Sequence, residues 1–193
     1  HALQATLQGC DRATHLVEQL LTLSRLEAGA AVTRRPLDLS VIARQVVGEL
    51  APKALQRQQD LGLDAPSACT VEGDATLLAV LLRNLVDNAL RYSPDGAQVR
   101  VEIAPAATES GASLCIEDSG PGLSDEALAR LGERFFRVLG TGQSGSGLGW
   151  SIVRRLARLH ELTLTVDRSP TLGGLRVQVR WPDCAPTVGP GTP

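Results

Sequence analysis

The sequence predicts an α+β fold in which helices cover one face of a mixed sheet. Helical and strand-like hydrophobic patterns alternate irregularly along the 193 residues, and several strand patterns come in hairpin-like pairs. Apolar residues make up 43% of the chain and charged residues 21%, which permits a sizeable core. Because aromatic residues amount to only 3%, that core must rest on Leu, Val, Ile and Ala.

Composition argues against several classes of protein. A net charge of -2 provides no basic surface for nucleic acid. No apolar run approaches the roughly 20 residues that span a bilayer, and no signal peptide is visible. Because the chain begins with His1 and contains no Met, we expect a piece of a longer protein, whose missing part could carry a membrane anchor. The four cysteines are Cys10, Cys69, Cys115 and Cys184. Their spacing does not suit a metal site, and they fit a reducing cytoplasm. Cys115 lies in an apolar run and is expected in the core.

The first predicted element is a long helix over residues 2–28. Its apolar residues recur at alternating steps of four and three, which is the spacing of a coiled-coil or bundle helix. Such a helix needs a partner, from its own chain or from a second copy, and Gly29 is a plausible stop. The repeating positions are Leu3, Leu7, Cys10, Thr14, Val17, Leu21 and Ser24.

Residues 30–181 are predicted to form the main domain, followed by a Pro/Gly-rich disordered tail over 182–193. The Gly/Ser/Thr-rich stretch 138–147 is expected to be mobile. The predicted strands are Val32–Arg35, Asp60–Leu63, Cys69–Val71, Val99–Ile103, Ser113–Glu117, Thr163–Val166 and Leu175–Trp181. The first predicted helix of this domain is capped by Asp38 or Ser40 and runs to about Gln58, although Pro52 lies inside it. The second is Ala75–Arg91, capped by Asp74. The others are Asp125–Leu131 and Gly149–Leu159.

A polar stripe on the predicted helix Ala75–Arg91 is the first candidate site. Asn84, Asn88 and Arg91 lie at i, i+4 and i+7 and therefore share one face. Amide oxygens can ligate Mg²⁺, which prefers oxygen ligands, and Arg91 can pair with phosphate in a forked geometry. A solvated helix face is the alternative that this pattern alone leaves open.

The second candidate is the run Asp118-Ser-Gly120-Pro-Gly122 after a predicted strand. A carboxylate at a strand end could accept a hydrogen bond from an exocyclic amine such as N6 of adenine. The glycines would let a ligand approach the backbone closely. An ordinary turn would have the same composition, so this run by itself does not decide between the two.

The third candidate is Gly145-Ser-Gly147-Leu148-Gly149, which leads into a predicted helix. Glycines at a helix start expose backbone N–H groups, and the helix dipole favours an anion there. A flexible loop before a helix is the alternative. The run does not follow a strand in a βαβ unit, as a Rossmann site requires, and it lacks the Lys-Ser/Thr of a Walker loop.

In this order and spacing, the three patterns resemble the N, G1 and G2 boxes of sensor histidine kinases. The segment 133–137, Glu-Arg-Phe-Phe-Arg, resembles their F box, so that the resemblance covers about residues 40–181. Upstream, residues 11–26 are similar to the second helix of the family's dimerisation and phosphotransfer domain, which assigns 1–29 to a partial dimerisation helix. Within the family, the quorum-sensing and polymyxin-resistance kinases are the most similar in their motifs.

The resemblance implies a Bergerat-type (GHKL) α/β sandwich that binds ATP and Mg²⁺. Asn88 would ligate Mg²⁺ with Asn84 assisting near the phosphates, and Arg91, where the family often has Lys, would contact phosphate. Tyr92 would pack against adenine, and Asp118 would bind its N6. A lid would form over residues 123–146. Further nucleotide contacts would come from Gly120, Gly122, Phe136, Arg137, Gly145, Gly147, Leu148 and Gly149.

The resemblance also implies transfer of the ATP γ-phosphoryl to a histidine and then to an aspartate of a response regulator. The family's phosphoacceptor segment is missing from this sequence, since neither His1, His15 nor His160 matches it. His160 is instead expected to interact with a helix C-terminus. We therefore expect ATP binding without autophosphorylation, in the cytoplasmic part of a homodimeric bacterial inner-membrane protein. Trp150 departs from the family, which has an aliphatic residue there, and would pack against the lid hinge or change the mobility of the lid.

Two other classes of function remain open at this point. One is another GHKL-type ATPase, such as an anti-sigma-type serine kinase, which the heptad helix disfavours. The other is a non-enzymatic interaction module with a degenerate nucleotide pocket, which the intact Asn88 and Asp118 disfavour.

Overall fold

The computed structural model describes residues 33–107, 111–131, 133 and 148–182. Its strands are β1 (Arg35–Asp38), β2 (Asp60–Asp64), β3 (Thr70–Gly73), β4 (Gln98–Ala104), β5 (Ser113–Asp118), β6 (Thr163–Arg168) and β7 (Leu175–Arg180). Its helices are α1 (Leu39–Gln56), α2 (Ala75–Tyr92), α3 (Asp125–Arg130) and α4 (Gly149–Leu159). Within these ranges, every helix is too short or too polar to span a bilayer.

The main sheet of the described residues has five strands in the order β2-β4-β5-β7-β6. β2 runs parallel to β4, while the other neighbours are antiparallel, so the sheet is mixed as predicted. β1 and β3 form a separate antiparallel pair. In the main sheet, Asp118 at the end of β5 lies opposite Val99 at the start of β4, which places its carboxylate at one end of the two central strands.

Helices cover one face of this sheet, which confirms the predicted layering. Along β4, Val99, Val101 and Ile103 are buried, whereas Arg100 and Glu102 point to the uncovered face and are exposed. The buried face packs against α1, α2 and α4. Burying a Leu completely stabilises a fold by about 1.5–3 kcal/mol, and the core is built mainly from such aliphatic side chains. The largest fully buried ones include Leu39, Leu78, Leu81, Leu82, Leu90, Ile103, Leu114, Ile116, Ile152 and Leu156.

Two carboxylates cap the helices that carry the core. Asp38, rather than Ser40, caps α1: its Oδ1 accepts hydrogen bonds from Ser40 N at 2.9 Å and from Cys69 N at 3.0 Å. The bond from Cys69 is the main reason that the pKa of Asp38 lies below its usual value. Asp74 caps α2 as predicted. α1 continues through Pro52 and ends at Gln56, slightly before the expected end.

Two predictions from the sequence were wrong. The strand expected at Val32–Arg35 begins only at Arg35, where β1 pairs with β3, and Pro36 lies inside it opposite Glu72. Proline in a two-stranded pair can direct its missing N–H outward, so it does not end the strand here. Cys115 is half-buried on the uncovered face of the sheet, not in the core. Burial there raises the pKa of its thiol to about 11, with help from Glu117 and Glu102.

Several predicted features lie outside the described residues. They are the helix over 2–28, Val32 of the first predicted strand, the whole of the expected mobile stretch 138–147, most of the expected lid, and the tail from 183 onward. The boundaries assigned to the N-terminal helix, the main domain and the tail stay predictions.

Candidate functional site

A pocket opens between α2, α4 and the ends of β5 and β7. Polar groups occupy two of its walls, where Asp118 comes from β5 and Asn88 from α2. Tyr92 and Trp150 contribute aromatic surface. An apolar pocket with a few polar groups is the usual form of a small-molecule site. Its apolar lining is Leu85, Ala89, Ile116, Pro121, Leu123, Leu131, Leu175 and Val177.

Asp118 is the buried carboxylate of this pocket, with only 7% of its surface exposed. Its Oδ1 accepts hydrogen bonds from Gly120 N at 2.9 Å and from Leu175 N at 3.2 Å. Burial raises the pKa of Asp118, and the two N–H groups partly oppose this rise. Oδ2 accepts no hydrogen bond from the part of the chain that the structure describes. The carboxylate therefore has a fixed orientation and one oxygen available to a donor on a ligand.

Close backbone approach explains two of the glycines around Asp118. A Cβ on Gly174 would overlap Asp118 Oδ1 and would lie 2.7 Å from Gly120 N. Gly122 has a φ of +71°, a conformation that side chains disfavour. The turn before β7 therefore packs directly on the segment 118–122.

Two amides of α2 lie against the start of α4. Asn84 is buried and donates from Nδ2 to Val80 O at 2.8 Å, which turns its Oδ1 towards Gly149. A Cβ on Gly149 would lie 3.1 Å from that Oδ1 and 3.5 Å from Asn88 Nδ2. Asn88 Nδ2 is buried and has no hydrogen-bond partner within the described ranges. An unpaired buried amide is costly, and a ligand with an acceptor oxygen would satisfy it.

The N-terminus of α4 is the other polar end of the site. Leu148 is its N-cap residue, and a leucine side chain cannot cap the helix by a hydrogen bond. The first turn carries no acidic residue, so the positive end of the helix dipole is not neutralised from within α4. Together with the adjacent amides, this geometry suits a phosphate group.

Arg91 is engaged in an ion-pair cluster on α2. Its Nη2 contacts Asp87 Oδ2 at 2.7 Å, and Lys53 of α1 binds the other oxygen of the same carboxylate. Asp87 is 15% exposed in its side chain, so the cluster is partly shielded from water. A guanidinium has five N–H groups. The bond to Asp87 holds this forked group on the face of α2 that also carries Asn84 and Asn88.

The end of α2 is held by residues that the sequence patterns did not single out. Arg57 donates to Leu90 O and, at 2.9 Å, to Ser93 O, and Gln59 Nε2 donates to Leu90 O at 2.9 Å and to Pro94 O at 3.0 Å. These donors satisfy carbonyls that the helix end leaves unpaired, and the Arg57 charge favours the negative end of the helix dipole. They hold the segment that carries Tyr92 beside the pocket.

His160 does not belong to the pocket. It is 2% exposed, its Nε2 accepts from Asp74 N at 3.1 Å, and its Nδ1 lies 3.0 Å from Leu156 O. Both bonds are satisfied by a neutral ring that donates from Nδ1. Burial lowers the pKa of His160, so the contact expected with the C-terminus of α4 is made by a neutral hydrogen-bond donor.

The structure brings together most of the predicted site residues that it describes. Asn88, Tyr92, Asp118 and Gly122 line one pocket, and Gly149 lies against its amide wall. Gly120, another predicted residue, donates its N–H to Asp118. The remaining predicted residues lie outside the described ranges: Phe136, Arg137, Gly145 and Gly147. The sequence patterns missed the backbone N–H of Leu175. The adjacent pair Gly173-Gly174 was the available signal for it.

The donor set fits a magnesium ion that a ligand brings with it. No group of three or more His, Cys, Asp or Glu side chains that could hold a metal occurs within the described ranges. The pocket instead offers the amide of Asn88 next to the start of α4: its Oδ1 is an oxygen ligand, and its Nδ2, which has no hydrogen-bond partner among the described residues, can donate to a phosphate oxygen. Mg²⁺ keeps several waters and is commonly bound through one or two protein ligands together with substrate phosphates.

Comparison with known proteins identifies the family. Residues 73–185 match the model described as histidine kinase-, DNA gyrase B-, and HSP90-like ATPase. The chain is 41% identical over 183 residues to the sensor protein QseC of Escherichia coli strain K12, a match that covers 93% of this chain and 39% of QseC. It is 35% identical over 178 residues to the sensor protein kinase PmrB of Pseudomonas aeruginosa, covering 91% of this chain and 37% of PmrB.

Solved structures agree with this match. The cytoplasmic segment of histidine kinase QseC superposes with a TM-score of 0.60 at 30% identity, covering 90% of this chain and 95% of that one. Full-length ShkA in complex with AMPPNP gives a TM-score of 0.76 at 26% identity, covering 94% of this chain and 38% of that one.

The chain spans about two fifths of the length of the curated relatives that it matches. The match confirms the family, the fold and the subfamily that the motifs indicated. The chain belongs to the histidine kinase-, DNA gyrase B- and HSP90-like ATPases, and its described domain is the ATP-binding catalytic domain of a sensor histidine kinase.

Proposed function

We propose that this domain holds Mg-ATP and presents its γ-phosphoryl to a histidine of the full-length protein. The observation that carries the proposal is the pairing of two groups in one pocket. Among the described residues, Asp118 Oδ2 accepts no hydrogen bond at one wall, and Asn88 Nδ2 has no acceptor at another, next to the start of α4. These ends suit an adenine amine and a chain of phosphates, respectively.

The adenine end would be recognised by Asp118 and by the apolar walls. Asp118 Oδ2 would accept a hydrogen bond from N6, while Oδ1 stays bound to the backbone of Gly120 and Leu175. Tyr92 would pack against the base, and the glycines at 120 and 122 would let it approach the backbone. A base with a carbonyl at this position would place acceptor against acceptor and bind less well.

The phosphate end would be formed by α2 and α4. Asn88 would ligate Mg²⁺ through its Oδ1, Asn84 would assist nearby, and Arg91 would contact phosphate. When bound, Mg²⁺ neutralises charge on the phosphate oxygens, as in other phosphoryl transfers. Leu148 and Gly149 would contribute the N-terminus of α4. The roles assigned to Phe136, Arg137, Gly145 and Gly147 stay predictions.

The acceptor histidine would belong to a part of the protein beyond this chain. His160 cannot serve, because it is buried and both ring nitrogens are engaged. His1 and His15 lie outside the described residues, and neither has the family's surroundings. We expect the phosphoryl group to pass onward to an aspartate of a response regulator.

A similar solved structure supports a proposal for the setting of the domain. One similar solved structure is described as the cytoplasmic segment of a histidine kinase, and we propose that this chain lies in the cytoplasmic part of a bacterial inner-membrane protein.

We also propose a homodimer formed through the helix over residues 2–28. Sedimentation of this chain should then show a concentration-dependent dimer, and a monomer at all accessible concentrations would argue against it.

The phosphorylated residue tests the reaction most sharply. Full-length protein incubated with labelled ATP should gain phosphate that is lost in acid and kept in base, as phosphohistidine is, and should pass it to a response regulator. The variant Asn88→Ala should gain none. Acid-stable phosphate on the wild type would indicate a serine kinase and contradict the proposal.

A further inference from the structure

Glu117 lies next to Asp118 in β5 but points to the opposite face of the sheet, because side chains alternate along a strand. It is 7% exposed. Its Oε1 accepts a hydrogen bond from Ser169 Oγ at 2.8 Å, and its Oε2 accepts one from Thr171 Oγ1 at 3.0 Å. A buried carboxylate needs such donors, and both come from one short segment.

That segment is the turn between β6 and β7, residues 169–174. Ser169 holds it from within, since its Oγ accepts from Leu172 N at 2.9 Å and its N–H donates to Gly174 O at 2.8 Å. Gly173 N donates to Ser169 O at 3.1 Å. Glu117, Ser169 and Thr171 are called the hydroxyl clamp below. The clamp fixes the turn on the uncovered side of the sheet.

The other end of the same turn contacts Asp118. Gly174 N donates to Asp118 O at 3.0 Å, and Leu175 N donates to Asp118 Oδ1 at 3.2 Å. Gly174 has no room for a Cβ because the two segments touch. Two adjacent residues of β5 therefore hold one turn from opposite sides, and any shift of the turn moves a donor of the Asp118 carboxylate.

We propose that Glu117 is a positioning residue for recognition of the nucleotide base. Through the hydroxyls of Ser169 and Thr171 it holds the turn that orients Asp118, so that Oδ2 faces an exocyclic amine. This inference rests on the proposed function, in which Asp118 binds N6 of adenine. Loss of the clamp frees the Leu175 N–H and lets the carboxylate rotate, which weakens selection for the amine more than it weakens the remaining contacts with the nucleotide.

The test compares binding of ATP with binding of purine riboside triphosphate, which lacks the 6-amine, by calorimetry on the full chain with Mg²⁺. We expect the wild type to prefer ATP. Glu117→Leu and Thr171→Val should each weaken ATP binding by about three- to tenfold, within the range for losing one ordinary hydrogen bond, and should change binding of the analogue less than about twofold. Glu117→Gln keeps one acceptor and should give an intermediate result.

Glu102→Gln is the matched control. Glu102 points to the same uncovered face from the neighbouring strand β4 and is exposed, so its variant should retain the wild-type preference. If Glu117→Leu does not fold, Thr171→Val carries the test, because Thr171 is exposed and Val has nearly the same shape. Thermal melting identifies variants that remain folded.

The outcomes separate the clamp from the proposed function. If folded variants lose affinity for ATP and for the analogue equally, or keep the wild-type preference for ATP, the positioning role of the hydroxyl clamp is overturned while ATP binding stands. A wild type that binds ATP no better than the analogue would overturn both the Asp118 contact and the clamp that depends on it.

Discussion

Gly174 lies so close to Asp118 that a single added methyl group on the glycine would overlap the carboxylate oxygen Oδ1. The contact joins the turn before β7 to the end of β5, two segments more than 50 residues apart in sequence. It makes the orientation of the carboxylate depend on a backbone that carries no functional side chain.

Gly174→Ala tests this contact. The added Cβ must push Asp118 or the backbone of Gly120 away, so we expect nucleotide affinity to fall at least about tenfold, equivalent to about 1.4 kcal/mol. Calorimetric titration with a nonhydrolysable ATP analogue measures it. Gly62→Ala is the control, because no atom lies within 4 Å of its Cβ position, and it should bind as the wild type does. Equal affinities of the two variants would contradict the account.

Asp118→Asn should change which base the pocket prefers. The amide can keep its oxygen on the N–H groups of Gly120 and Leu175, which turns its NH₂ towards the base. A donor then faces the N6 amine of adenine, so ATP should bind about tenfold or more weakly, while inosine triphosphate, with an acceptor oxygen there, should bind relatively better. Competition binding of the two nucleotides measures the ratio. An unchanged ratio would exclude contact between Asp118 and position 6.

The same variant should change stability with pH. Because burial raises the pKa of Asp118, the folded state holds its proton more tightly than the unfolded chain does. The wild type therefore loses stability as the pH rises from the ordinary carboxyl value, about 3.9, through the raised value. Urea unfolding at pH 4 and pH 7 should show that the free energy of unfolding of Asp118→Asn, relative to that of the wild type, is higher at pH 7 than at pH 4. A constant difference would contradict the raised pKa.

Gly149→Ala should affect phosphates and not the base. Its Cβ would lie 3.1 Å from Asn84 Oδ1 and 3.5 Å from Asn88 Nδ2, so the amide wall must shift slightly. We expect Mg-ATP to bind roughly tenfold more weakly and adenosine, which has no phosphate, to bind as before. Nuclear magnetic resonance titration can follow both ligands. An equal loss of affinity for Mg-ATP and for adenosine would contradict a role of Gly149 at the phosphate end of the pocket.

His160 should make the domain less stable as the pH falls. Burial is the largest cause of its lowered pKa, Arg34 lowers it further, and Leu156 O and Asp74 act in the opposite direction. The unfolded chain binds the proton more readily, so the free energy of unfolding should decrease as the pH falls below about 6.5 towards the lowered value. Unfolding in urea at pH 7, 6 and 5 should show that the free energy of unfolding decreases less for His160→Gln than for the wild type. Identical pH dependence in both proteins would be evidence against a buried neutral ring.

Side-chain patterns predicted much of the fold. The start of α4 was predicted because a glycine-rich run leads into it, and the structure ends the helix at Leu159, shortly before Glu161 takes a left-handed conformation at φ 59°. Asp74 and the regularly spaced leucines likewise indicated α2. β1 was misplaced because its pairing with β3 overrides the usual effect of Pro36. Cys115 was assigned to the wrong face because the apolar run in β5 does not show which alternate residues a helix covers.

The site was predictable where side chains define it. Asn88 and Asp118 are polar residues in apolar surroundings, and the pattern of each stands out. The N–H of Leu175 was missed because Gly173-Gly174 signals only a turn, and the backbone donor after it reaches Asp118 through the pairing of β5 with β7. Arg57 and Gln59 were missed for a related reason, since their acceptors are carbonyls at the end of α2.

Direct binding of Mg-ATP is the measurement that tests the central claim. Calorimetry of this chain with Mg²⁺ and a nonhydrolysable ATP analogue should show one site per chain, and the double variant Asn88→Ala with Asp118→Ala should show no measurable binding. Circular dichroism should confirm that the double variant is folded. Absence of binding by the wild type, or undiminished binding by the double variant, would contradict a nucleotide site between Asp118 and Asn88.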